Sequence, residues 1–250
     1  MTSIPCAGCR DGDGFTLPFT MAFQPVIDLE ARRIHGYEAL VRGPAGEGAA
    51  TILSQVTPEN RYAFDQACRV RAIELAGRLG LDRRLNINFM PNAVYQPAAC
   101  IRATLAAAAR VGFPLDRITF EITEDERIDD HDHLSAIITE YRARGFAVAL
   151  DDFGAGACGL NLLANIRPDI VKLDIGLVRG CDQDPTRQVI LRAMTGACRE
   201  LGIGVVAEGV ERPEELALLR GLGVRYVQGF LFARPALETL ASDGDIAYPA

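Results

Sequence analysis

Nowhere in the 250 residues do 18 apolar residues run together, which leaves no segment able to span a bilayer as a helix. Residues 1–22 also lack the basic start and apolar run of a secretory signal. A cytoplasmic location is therefore expected, with no membrane partner. Positive charge is scarce, with 26 Lys and Arg against 33 Asp and Glu, a formal charge of -7. That balance opposes the phosphate attraction on which nucleic-acid binding rests, and no DNA partner is expected. A phosphorylated substrate stays open, because carboxylates that hold divalent metals reverse the local field. A complete cysteine metal motif is missing as well. Cys6, Cys9, Cys68, Cys100, Cys158, Cys181 and Cys198 are odd in number and scattered, the pattern of reduced thiols. Cys6 and Cys9 form a single C-x-x-C, half a zinc site, with no second pair or nearby His to complete it.

What is present is the composition of a folded chain, 49% apolar and 24% charged residues. Residues 1–18 have no periodicity and read as a flexible leader, followed by one domain over 19–240 and a tail over 241–250. Within the domain, short apolar runs of strand length alternate with stretches of helical period. Eight strands are predicted, at Thr20 to Gln24, Ile34 to Leu40, Leu85 to Phe89, Ile118 to Ile122, Ala147 to Asp151, Ile170 to Asp174, Gly204 to Glu208 and Arg225 to Gln228. Helical stripes follow Phe64, Ala67 and Cys68, then Leu134, Ile137, Ile138 and Tyr141, then Ile190, Ala193, Met194 and Ala197. Gly80, Gly145, Gly202 and Gly223 supply stops, and Pro213 suits a first helical turn. Eight strands joined by helices in this length predict an α/β fold, a TIM-type (β/α)8 barrel with its site at the strand C-termini. A doubly wound sheet is the alternative, but no G-x-G-x-x-G or G-x-x-x-x-G-K-[ST] follows the first strand. Ile27 to Arg33 is too short for a crossover helix, so the first two strands are expected to form an antiparallel hairpin.

Polar residues recur at comparable depth in these strands: Glu38, Asn88, Glu121, Asp151 with Asp152, Lys172, Glu208 and Gln228. Their intervals are those of βα units, so they should converge on one rim. Five carboxylates brought together repel one another and require cations or protons. Carboxylates with an Asn carbonyl, and no His nearby, suit Mg2+ or Mn2+ better than zinc or copper. The neighbouring Asp151 and Asp152 are placed to bridge two ions about 3.5 to 4 Å apart, an arrangement that serves in-line displacement at phosphorus. Structural ion pairs or helix caps would explain one or two such residues, not one at nearly every strand end.

The ordered motifs Gln24-Pro25, Glu38-Ala39-Leu40-Val41-Arg42, Asn86-Ile87-Asn88, Glu121-Ile122-Thr123-Glu124, Asp151-Asp152-Phe153-Gly154, Val171-Lys172-Leu173-Asp174, Ala207-Glu208-Gly209-Val210-Glu211 and Gln228-Gly229-Phe230 resemble the EAL family of bacterial cyclic di-GMP phosphodiesterases. The likeness runs from about Phe19 to Pro235. Tyr62-Ala63-Phe64-Asp65-Gln66 and Asn88-Phe89-Met90-Pro91-Asn92-Ala93-Val94 resemble, more finely, the EAL modules attached to blue-light sensors.

The resemblance implies hydrolysis of cyclic di-GMP to linear pGpG with two divalent ions, Mg2+ or Mn2+, and inhibition by Ca2+. It implies Glu38, Asn88, Glu121 and Asp151 as ligands of one metal, with Asp151 bridging and Asp152 serving the second. Lys172 and Glu208 are the implied catalytic residues, Lys172 holding the attacking water and Glu208 completing the second metal's surroundings. Arg42 is expected to meet a substrate phosphate, and Gln24, Leu40, Asp174 and Gln228 to line the guanine and ribose side. Phe153 to Gly159 would be an active-site loop anchored by Glu124 and linked to homodimer formation. Ala157 and Cys158 depart there from the usual Tyr-Ser type pair, and a small-residue replacement is the simpler reading of Cys158 than a redox switch. Asp129-Asp130-His131-Asp132-His133 is read as helix capping rather than metal binding. Any sensor or regulator is expected on a separate protein. Two alternatives stand beside hydrolysis of cyclic di-GMP: a weak or inactive module that binds it, and an unrelated metal-dependent barrel acting on another phosphodiester.

Overall fold

The hairpin that opens the fold is tied by Asp28. Its carboxylate accepts hydrogen bonds from the backbone N–H of Glu30 and Ala31, both at 3.1 Å, turning the chain back within four residues. Arg225 closes on the same carboxylate at 3.0 and 2.7 Å. In this computed structural model, which describes residues 15–94, 96–123, 131–156 and 159–249, the strands are β1 Thr20–Asp28, β2 Arg33–Arg42, β3 Arg84–Phe89, β4 Ile118–Thr123, β5 Ala147–Phe153, β6 Ile170–Leu173, β7 Gly204–Ala207, β8 Tyr226–Val227 and β9 Ala236–Leu237. β2 to β8 run parallel in order, and antiparallel β1 closes the barrel by pairing with both β2 and β8. All eight expected strands are present, as is the expected hairpin. β9, a two-residue strand against Ala22 and Phe23, is an addition too short to show in any periodicity.

Helices cover the barrel through the faces that their apolar spacing offers. In the helix His131–Ala143, the expected Leu134, Ile137, Ile138 and Tyr141 are all buried. The helix Pro185–Leu201 instead buries Leu191, Thr195 and Cys198, leaving the expected Ile190 40% exposed and Ala193 and Ala197 at the surface. The stripe is displaced by one residue because Thr195 can be buried, its hydroxyl donating to the Leu191 carbonyl at 2.8 Å. The four expected stop glycines adopt φ between 68 and 94°. No helix among the described residues is long and apolar enough to cross a membrane.

Residues 241–249 lie against the N-terminal ends of the barrel strands. Asp243 accepts from Ile34 N at 2.7 Å and pairs with Arg83 at 2.7 Å, Tyr37 donates its hydroxyl to the Ala241 carbonyl, and Tyr248 meets Phe232 edge-on. Cys6 and Cys9 fall outside the described residues.

Asp28 gives the first testable expectation. Burial alone would raise its pKa, but Arg225 and the two backbone donors outweigh this and hold the carboxyl below the ordinary 3.8. Asp28→Asn keeps an acceptor for the turn and removes the charge, and should cost about 1 to 2 kcal/mol in urea unfolding at pH 7, the lower part of the charged hydrogen-bond range because Arg225 is partly exposed. A depressed carboxyl pKa stabilises above the unfolded value and loses that contribution as pH falls through the folded one. The gap between wild type and variant should accordingly shrink below about pH 3.8.

Candidate metal centre

Neighbouring strands bring the polar residues into register. Asn88 on β3 is paired with Glu121 on β4, and Thr123 on β4 with Asp151 on β5. Consecutive strand residues normally face opposite sides of a sheet, which would separate Asp151 from Asp152. β5 avoids this with a register shift between Leu150 and Phe153, and Asp152 takes φ 52°. Both aspartates then line the same cavity.

At the floor of that cavity is the Lys172 ammonium, fully buried and surrounded by four carboxylates: Asp151 and Glu208 at 2.9 Å, Glu121 at 3.1 Å and Glu38 at 3.3 Å. Burial opposes its charge, but the four acids outweigh that and hold its pKa well above the ordinary lysine value. Burial drives Glu121 and Glu208 well above the usual carboxylate range, with Lys172 countering and the neighbouring acids adding to the rise. Burial also raises Asp151, and burial followed by the Asp151 charge pushes Asp152 up to about 6. Glu38 goes the other way, since Lys172, Gln228 and Asn88 overcome its burial.

One ammonium cannot balance so many acids. Glu38, Glu121 and Asp151 offer oxygens within 4.8 Å of one another, and so do Asp151, Asp152 and Glu208. Asp151 belongs to both triplets. The excess of buried negative charge and the all-oxygen donor set fit hard divalent cations, Mg2+ or Mn2+ among them.

The remaining side chains brace this set. Asn88 Nδ2 donates to Glu38 at 3.0 Å, and Gln228 Nε2 donates to Glu38 at 2.9 Å and to Gln24 at 3.0 Å. Gln24, Glu38, Leu40, Asn88, Asp151, Asp152, Asp174, Glu208 and Gln228 line one cavity of about 410 Å³, with Glu121 and Lys172 buried at its base. Asp174 also caps the helix Ile175–Val178, accepting from Gly176 N at 2.7 Å. Arg42 is not among the lining residues, and its guanidinium donates to the carbonyl of its neighbour Val41 at 2.7 Å. Glu124, Ala157 and Cys158 lie outside the described residues, as do Asp129 and Asp130. His133, beyond them, contacts the Val94 carbonyl at 2.5 Å.

Sequence reasoning passed over several participants. Asn86 donates to Glu121 at 2.8 Å, and its position two residues before Asn88 on the same strand face was the available signal. Arg179, paired with Glu211 at 2.7 Å, and the 45%-exposed Phe230 also line the cavity. Arg179 carried no signal in the sequence. Gly229 permits the close approach of two loops, because a Cβ there would lie 2.0 Å from the Val210 carbonyl oxygen.

Comparison with known proteins supplies the lineage. The EAL domain family matches residues 18–235. A standalone versatile EAL protein from Vibrio cholerae O395, solved in its c-di-GMP bound form, is 49% identical with a TM-score of 0.88, over 91% of this chain and 96% of that one. Klebsiella pneumoniae BlrP1 in a manganese/cy-diGMP complex is 36% identical with a TM-score of 0.84, over 88% of this chain and 57% of that one. BlrP1 is also solved in a calcium/cy-diGMP complex. Escherichia coli BluF, a blue light- and temperature-regulated antirepressor, is 32% identical over 229 residues, in keeping with the finer blue-light likeness. This chain spans 91% of its own length but 56% of BluF in that match. By its matched sequence, its barrel with an antiparallel first strand and its paired acidic triplets, the chain belongs to the EAL domain family.

Proposed function

We propose that the chain is a metal-dependent phosphodiesterase that hydrolyses cyclic di-GMP to linear pGpG, with residues 19–240 as the catalytic unit. The observation that carries this reading is the pair of carboxylate triplets sharing Asp151 at the base of an open cavity. Glu38, Asn88, Glu121 and Asp151 would hold one divalent cation, and Asp151, Asp152 and Glu208 the other. When bound, the two ions supply the charge that neutralises the phosphodiester and acidifies the attacking water. Lys172 contributes a fixed ammonium at the cavity floor, held protonated by its acids and able to orient that water through its N–H groups. Gln228 Oε1 is a buried acceptor with no hydrogen-bond partner among the described residues, and a guanine N–H would satisfy it. Gln24, Leu40 and Asp174 extend the same wall. Arg42 would reach a substrate phosphate after releasing Val41. The proposal includes a homodimer.

Chromatography of the nucleotides after incubation with cyclic di-GMP tests reaction, substrate and cofactor together. With Mg2+ or Mn2+ linear pGpG should accumulate, and a chelator should abolish it. Calcium should support binding without turnover, because its larger and looser coordination positions water poorly. Tight binding without product under every metal would instead identify a binding module. Cleavage of generic phosphodiesters but not of the cyclic dinucleotide would identify a different substrate.

A further inference from the structure

The βα intervals that gather acids at one end of the barrel gather arginines at the other. Arg33 opens β2, Arg84 opens β3 and Arg117 immediately precedes β4. With Arg83, Asp82 and His35 they line a cavity of about 370 Å³ at the N-terminal rim. Glu38 lies five positions beyond Arg33 on β2, about 16 Å along the strand, so this cavity is distinct from the metal centre.

Its charge is poorly balanced. Asp82 and Asp243 both turn to Arg83, at 3.7 and 2.7 Å, and Arg83 is further fixed by donating to the Ile34 carbonyl. The Arg33 and Arg84 side chains make no hydrogen bond or ion pair with another described residue, and Arg117 gives one N–H to the Asp82 carbonyl at 2.6 Å. Four arginines therefore share this concavity with Asp82, and because Asp82 and Asp243 both pair with Arg83, Arg33, Arg84 and Arg117 are left without a paired carboxylate, on a chain whose formal charge is -7. Planar forks of N–H donors match phosphoryl oxygens, and three of them, one from the start of each of three neighbouring strands about 4.8 Å apart, can engage more than one phosphoryl group. The volume suits a small molecule.

We infer that this cavity is a second ligand site, which takes a polyphosphate anion, either an inorganic chain or the phosphate tail of a nucleotide. The inference is independent of the reaction proposed above. His35 reports on it. The imidazole lies against Tyr226 with ring centroids 4.4 Å apart. Burial and the charges of Arg84, Arg225 and Arg33 hold its pKa down to about 4, against an opposing pull from Asp28. A bound polyanion neutralises the arginines and should raise that value.

The test uses wild-type protein in chelator, with tripolyphosphate as the probe and imidazole NMR as the readout. Only three histidines are present, His35, His131 and His133. Saturating tripolyphosphate should raise the His35 pKa by at least about one unit while the other two stay fixed, and an unmoved His35 overturns the site. Arg84→Gln with Arg117→Gln should weaken binding at least about tenfold, the loss of two charged contacts, and unchanged affinity in a folded double variant also overturns it. Equal affinity for sulfate at matched ionic strength would reduce the effect to general screening and reject the proposal. A nucleoside triphosphate that binds more tightly than tripolyphosphate identifies a nucleotide as the ligand, and equal binding identifies the phosphate chain alone.

Discussion

Lys172→Met is expected to destabilise the metal-free protein by about 3 to 5 kcal/mol, the cost of removing one partner from a buried ion cluster. It should also lower turnover by about 10²- to 10⁴-fold, the range for a positioned proton-handling group. The two effects have separate origins. Lys172 is buried within 3.3 Å of Glu38, Glu121, Asp151 and Glu208, and no other cation among the described residues is paired with them. Methionine fills a similar volume and leaves the four acids facing one another. Urea unfolding in chelator should register the loss, and adding Mn2+ should recover most of it, because cations that bind the folded state stabilise it by mass action. Turnover should not return with the stability. A variant as stable as wild type in chelator would mean that Lys172 does not compensate these acids, and full turnover would remove it from the reaction.

The same cluster explains what could be read in advance. Charged residues at strand C-termini stand out against apolar runs, so Glu38, Glu121, Asp151, Lys172 and Glu208 were legible from type and interval. The order of the strands followed from the βα alternation, and the hairpin from the short link between Ile27 and Arg33. Neutral partners were harder. Asn86 carries no charge to draw notice, although it braces Glu121 as Asn88 braces Glu38. The bulge at β5 is a backbone event, and Asp152 at φ 52° leaves no trace in hydrophobic periodicity. The displaced stripe of the helix Pro185–Leu201 turns on a hydroxyl that satisfies itself locally, which a polarity scale scores as exposed. Arg33, Arg84 and Arg117 repeat at nearly the intervals of Glu38, Asn88 and Glu121. Arginines at strand starts look like ordinary surface residues until the barrel closes them into one cavity.

Asp151→Asn and Asp152→Asn should part company, although the two residues are adjacent and line one cavity. Asp151 is common to both carboxylate triplets, whereas Asp152 belongs to one. Neutralising Asp152 leaves Glu38, Glu121 and Asp151 as a complete set, so one strongly bound Mn2+ per chain should remain in equilibrium dialysis. Neutralising Asp151 reduces both sets to two carboxylates, and retention of either ion should fall by at least about ten- to a hundredfold, at least as much as losing a residue that only orients a ligand. Turnover should fall by about 10³-fold or more, since charge stabilisation at a phosphoryl centre is commonly the largest contribution to its catalysis. Stability in chelator should move the other way. Asp151→Asn removes one of four acids crowded around one ammonium, so the metal-free variant should be at least as stable as wild type while gaining less from added Mn2+. That opposition separates loss of a ligand from simple unfolding, which would lower stability and metal retention together. Equal Mn2+ stoichiometry in the two variants would refute the sharing of Asp151 and, with it, a centre built for two ions.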